Sequence, residues 1–283
     1  MKKILVPCDF SKPAINAFRF ALDIAERTKG SISLLHVIEL PVMHDTVLMP
    51  VLSFEEQLLK ELKERATVQF NKINEKHKRK GVKVSWQVEF GPISKRIIDI
   101  IESASIDLVV MGSHGASGLR EYFIGSNAAK IIRKSPVPVL VAKDYPRRAV
   151  KKIVFPNAPD TENQSDLVGK VKTLQKFFQA QLHLVWINTP LNFVSDVVTH
   201  RRLEAFAKEF SLKDYSINIF NYPNEEEGII EFSKFIGGDI IAMGTHSRKG
   251  ITHLLNGSVA EDVANHTNNL IWTYSLKNEP VES

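Results

Sequence analysis

Short apolar runs and longer amphipathic stretches alternate along this chain with few interruptions. The first half reads strand 4–6, helix 13–29, strand 32–37, helix 54–80, strand 82–88, helix 93–103, strand 107–111, helix 126–134 and strand 137–142. The helix from Pro13 sets Ala14, Ala17, Phe18, Ala21, Leu22 and Ala25 on one stripe, and Ser11 with Pro13 supplies its start signal. The strands are apolar almost throughout, as strands buried on both faces must be, so the pattern predicts an α/β fold: a parallel sheet with helices on both sides. In such sheets ligands sit beyond the carboxyl ends of the strands, where the strand order reverses.

The pattern occurs twice. Lys2-Lys3-Ile4-Leu5-Val6-Pro7 returns as Lys151-Lys152-Ile153-Val154-Phe155-Pro156 at an offset of 149, and the same offset sets Leu34-Leu35-His36-Val37-Ile38 on His183-Leu184-Val185-Trp186-Ile187. Further on, Asp107 to His114 matches Asp239 to His246 at an offset of 132. The second copy is therefore expected to keep register through its second strand and to have lost 17 residues just after it. There the first copy has its long charged helix and the second a shorter one near Arg201 to Phe210. The expected domains are 1–145 and 150–277, joined by a short polar linker carrying Pro146.

After the strand ending at Met111 come Gly112, Gly115 and Gly125-Ser126 in the spacing Gly-x2-Gly-x9-Gly-Ser. Glycines permit close backbone approach to a polyanion, and a Gly-Ser at a helix start offers free amides and a hydroxyl, which suit phosphate. This is neither the lysine-bearing phosphate loop of P-loop NTPases nor the Gly-x-Gly-x-x-Gly dinucleotide fingerprint.

That spacing, its preceding strand and the opening Val6-Pro7-Cys8-Asp9-Phe10-Ser11 together resemble the universal stress protein family, over nearly the whole chain and twice. The resemblance implies two Rossmann-like sandwich domains packed as a pseudo-dimer through their last strands, Val137 to Ala142 and Leu270 to Tyr274. It also implies ATP binding, with Asp9 on the nucleoside and Val37 against adenine. Ribose and phosphates would fall to Gly112, Gly115, Gly125 and Ser126, with Asn127 giving the next amide. The strand-end residues Pro7 and Met111 complete the candidate set. The expected cofactor is ATP, or AMP or ADP, with Mg²⁺ accompanying the nucleotide. Cys8 stands where the family usually has Thr and is read as a buried small side chain.

In the second copy the motif is degenerate. Ser247 replaces the second glycine, Gly257-Ser258 remain, Asn157 stands for Cys8 and Ala158 for Asp9, with Asp160 two residues beyond. Nucleotide binding of the same kind is not expected there. Ser258 with Glu261 reads as a capping box. His114 and His246 read as loop hydrogen-bonding residues and His44 as a solvated one, because no other ligand type is spaced to join them.

Composition narrows the rest. A formal charge of +5 over 283 residues is modest and implies no nucleic-acid partner, and the basic run Lys76 to Lys83 reads as the solvated end of a helix. One cysteine permits no internal disulfide, no stretch reaches membrane-span length, and a cytoplasmic location is expected. The function expected is a stress-response regulatory protein that binds an adenine nucleotide and an unknown protein partner, with a homodimer of the whole chain open. The alternatives are a slow ATPase or adenylyl-type enzyme at the first copy, or an interaction module with a non-nucleotide ligand in the second.

Overall fold

The computed structural model describes residues 1–39, 50–113, 124–146, 148–157, 164–246 and 259–276. The first half runs β1 (Lys3–Pro7), α1 (Lys12–Thr28), β2 (Ser31–Ile38), α2 (Pro50–His77), β3 (Lys83–Phe90), α3 (Ile93–Ser103), β4 (Leu108–Gly112), α4 (Ser126–Lys134) and β5 (Val139–Ala142). The second runs β6 (Lys152–Pro156), α5 (Ser165–Phe178), β7 (Gln181–Asn188), α6 (Asp196–Glu209), β8 (Tyr215–Asn221), α7 (Glu225–Ile236), β9 (Ile240–His246), α8 (Val259–His266) and β10 (Leu270–Leu276). The predicted helices 93–103 and 126–134 coincide with α3 and α4, whereas α2 lies a turn nearer the N-terminus than predicted. The last strand of the first half starts at Val139 instead of 137, past Pro138, which has no amide to give a ladder.

Among the described residues the ten strands form one sheet in the order β3-β2-β1-β4-β5-β10-β9-β6-β7-β8. Within each half every pairing is parallel, and the halves meet where β5 and β10 pair antiparallel. Ile271 lies opposite Val141, Trp272 opposite Leu140 and Thr273 opposite Val139. Exchanging residues by the offset of 132 maps this set onto itself, so a local two-fold axis passes through the Leu140·Trp272 pair. The side chains obey it too. Lys143 Nζ donates to Asn265 O at 2.7 Å, and its counterpart Ser275 Oγ donates to Arg133 O at 3.2 Å.

The core has two layers, one on each face of the sheet. Ile4, Val6, Leu140, Trp272, Phe18, Phe70, Val171 and Phe206 occupy the face under α1, α2, α5 and α6. Leu5, Val109, Ile97, Ile131, Ile229 and Val263 occupy the other, under α3, α4, α7 and α8. Each fully buried Leu, Ile or Phe contributes about 1.5–3 kcal/mol, which is why continuously apolar strands end up between helices.

Pairing corrects the alignment of the copies. Val6 lies beside Leu34 but Phe155 beside Leu184, so β7 is offset from β2 by 150, and the second copy does not keep register at 149. The left-handed C-caps Lys29 and Gln179 show the same extra residue already in place at the ends of α1 and α5. Ile32 and Val84 pair across 52 positions where Leu182 and Tyr215 pair across 33, so the loss around α6 is nineteen, not 17.

The linker is held at both ends. Tyr145 hydroxyl donates to Asp23 Oδ2 at 2.5 Å beneath the Arg19 guanidinium, and Arg148 Nε lies 2.8 Å from Asp239 Oδ1. The basic residues of the run Lys76 to Lys83 are exposed apart from half-buried His77, and Arg79 there pairs with Asp23 at 3.3 Å. Among the described residues no helix is long and apolar enough to cross a membrane.

Candidate functional site

The order β3-β2-β1-β4-β5 reverses direction between β1 and β4. Their ladder ends at Leu5 opposite Val109, whereas β1 stays paired with β2 as far as Pro7 opposite Leu35, and β4 with β5 as far as Gly112 opposite Ala142. The central pair therefore parts into a fork beyond Leu5 and Val109, the crevice such sheets present to ligands. Pro7, Asp9, Met111 and Gly112 all sit on its two prongs.

On the β1 prong the chain turns at once. Cys8 N donates to Leu35 O at 2.8 Å, and the backbone swings through Phe10 at φ +66°. Asp9 Oδ1 accepts from Ser11 N at 3.1 Å and Ser11 Oγ at 2.6 Å, while Ser11 caps α1 by accepting from Ala14 N. Asp9 thus shapes the turn, and its half-buried carboxylate faces the start of α1. His36 Nδ1 lies 2.8 Å from Cys8 O, and Phe10 packs against His36 and Phe70, fixing the prong from the side. The Cys8 thiol is buried, and burial first of all pushes its pKa up to about 12. A thiol in that state is a small apolar filler, as the sequence suggested.

On the β4 prong Met111 is buried among the α3 and α4 residues, so this position can offer a ligand only its backbone. Gly112 is demanded by packing: a Cβ there would stand 2.8 Å from Pro13 C and 3.0 Å from Ala14 N. The sequence suggested backbone approach to a polyanion; the contact present is with the first turn of α1. Gly125 is the N-cap of α4, with an ordinary φ of −62°, and its amide donates to Ser113 O at 2.8 Å. It brings no side chain to cap α4, whose first turn begins with exposed Ser126 and half-buried Asn127. Val37 is half-buried in β2, packed on the α3 and α4 side. Gly115 and His114 lie outside the described residues.

One contributor to this end of the first half escaped sequence reading. Asn265, at the C-terminal end of α8, accepts from Ile124 N at 2.7 Å, just ahead of Gly125-Ser126. No local signal could have announced a contact across 141 positions. In the second half the equivalent fork opens beyond Val154 and Ile241. There Asn157 is buried, its amide NH₂ donating to Gln164 Oε1 at 2.7 Å. Glu261 lies 2.8 Å from Arg133 of the first half. Ala158, Asp160, Ser247, Gly257 and Ser258 lie outside the described residues, as does His44, and of His246 only the backbone is described.

Chemically, the first fork assembles backbone amides of a helix start, one carboxylate and a half-buried aliphatic side chain. That combination suits a ligand with an anionic end, hydroxyl donors and a flat apolar body.

Comparison with known proteins agrees with this architecture. The sequence model of the universal stress protein family matches residues 1–143 and 221–270. Universal stress protein MJ0577 of Methanocaldococcus jannaschii is 31% identical over 153 residues, half of this chain and 94% of the relative. Universal stress protein YxiE of Bacillus subtilis is 28% identical over 145 residues, again half of this chain and 98% of the relative. A crystal structure of a universal stress protein from Archaeoglobus fulgidus superposes with a TM-score of 0.75 over 96% of this chain and 98% of its own, at 18% identity, which speaks to the fold. With the doubled half, the fork and a family match over more than half of its length, this chain belongs to the universal stress protein family.

Proposed function

We propose that the first copy, residues 1–145, binds an adenine nucleotide at the β1–β4 fork, and that occupancy regulates how the protein engages a partner. The observation carrying this reading is topological: the Asp9 turn follows β1, and Gly112 with the start of α4, tied back through Gly125 N to Ser113 O, follows β4, where among the described residues these neighbouring strands part. Phosphates would lie against the amides of Ser126 and Asn127, the nucleoside hydroxyls near Asp9, and the base against Val37. Among the described residues no three His, Cys, Asp or Glu side chains converge, so an accompanying Mg²⁺ would take its oxygens from phosphate and water. The second copy, 150–277, has Ala158 for Asp9 and Ser247 for Gly115 and serves as the structural partner of the first.

Calorimetric titration of ATP, ADP and AMP into the full chain tests this. Binding at one site per chain is expected, weakened at least tenfold, or about 1.4 kcal/mol, by Asp9→Ala and by Gly115→Arg. Phosphate release measured in parallel separates a regulator from a hydrolase. Absence of binding at millimolar nucleotide, with the fold intact, would sink the reading.

A further inference from the structure

The two outer edges of the sheet are unlike. β3 carries Lys83 and Glu89, and α2, 28 residues long, lies over it: Phe70 stacks on Trp86 at 6.2 Å and Val88 is buried. Their counterparts on β8 are Ile217 and Ile219, at the offset of 131 set by the strand pairings. Above them α6 has only 14 residues, and the shortening leaves an open hollow of about 530 Å³ lined by Val197, Ile217 and Ile219 with Asp196, His200 and Arg201. Val197 is 63% exposed, and on the opposite face of the sheet Phe235, beside Phe220, is 80% exposed.

The strand itself is unguarded. From Tyr215 to Asn221 β8 has no charged residue and no proline, the devices that usually keep an edge from pairing. Leu182 N donates to Asp214 O and Tyr222 N to Asn188 O, so even-numbered residues turn their peptide groups towards β7. The amides and carbonyls of Tyr215, Ile217, Ile219 and Asn221 consequently face outward.

We propose that this edge is a homodimer interface, in which β8 pairs antiparallel with β8 of a second copy of the chain. A two-fold axis at Asn218 sets Ile217 opposite Ile219 and Tyr215 opposite Asn221, joining residues whose peptide groups all point outward. Charge favours a second copy as the occupant: the patch carries Asp196 and Arg201 on either side of Val197, so a copy turned through the axis brings carboxylate to guanidinium both ways. The apolar hollow of each copy is closed by the other. This surface is distinct from the β5–β10 seam, which is used up within the chain.

Sedimentation velocity on the full chain across a concentration series tests it. The wild type is expected to dimerise. Val197→Glu, on a side chain largely in solvent, and Ile219→Lys each weaken the dimer at least tenfold, with circular dichroism and the urea midpoint certifying the fold. Arg201→Asp alone weakens it as well, and Asp196→Arg with Arg201→Asp restores it. A wild type that stays monomeric throughout overturns the proposal, as does a dimer indifferent to both Val197→Glu and Ile219→Lys or a charge swap that fails to restore.

Discussion

Gly112 shows how much one missing methyl group can hold in place. Its Cα passes so near the Pro13–Ala14 peptide that a Cβ has no room, and the atoms in the way are Pro13 C, Ala14 N and the ring carbon Cβ of Pro13. Gly112→Ala is therefore expected to destabilise the protein by about 1–3 kcal/mol with no nucleotide present, read from urea denaturation. Unchanged stability would mean that α1 can retreat. Cys8 offers a second residue-level test. With its pKa pushed up to about 12 by burial, the thiol should resist alkylation at pH 8 in the native protein and react once urea unfolds it. Rapid native labelling would contradict the buried placement.

Asp107 works at the other end of the same strand. Its Oδ2 accepts from Lys2 N at 2.7 Å and Lys3 N at 3.0 Å, and Asp239 does the same for Lys151 and Lys152. Burial by itself raises the Asp107 pKa, but the two amide bonds and the nearby positive charges outweigh it, and the net shift is downward. A depressed folded pKa means that the stabilisation is complete above the unfolded carboxylate value of about 3.9 and fades as pH falls through the folded one. Asp107→Asn should accordingly cost stability at pH 7, and the gap from wild type should close in strong acid, measured by urea midpoints across pH.

At the scale of elements, the alternation of strands and helices was legible because helical stripes such as Ala14-Ala17-Phe18-Ala21 and short apolar runs have different periods. The register of β7 was not. Leu34-Leu35 and Leu184-Val185 are apolar at every position, and a strand buried on both faces has no polar side to set its phase, so a slip of one residue leaves no trace in the pattern. The candidate residues around the fork were legible as a spacing, while the reason for Gly112 was not, since Pro13 lies far away in sequence. The seam between β5 and β10 invites a direct test: Trp272, 1% exposed on the local axis, should cost about 3–5 kcal/mol when replaced by Ala. Calorimetry should show the two halves unfolding in one transition in the wild type and separating in Trp272→Ala; a wild type with two resolved transitions would show that the seam does not couple them.

For the molecule as a whole, the antiparallel seam points the two half-sheets in opposite directions, so their forks open at opposite ends. Contacts across the centre are many and small: Phe20 stacked on Phe178 at 6.3 Å, Arg27 over Phe177 at 4.3 Å, Arg133 with Glu261 at 2.8 Å. The same reversal carries the tail of α8 to the mouth of the first fork, where Asn265 grips the peptide ahead of Gly125. The second copy thereby braces the peptide that leads into the start of α4 in the first. Trimming the chain to its amino-terminal copy would strip a wall from the cleft it was meant to isolate, and a lone copy is a poor stand-in for the pair.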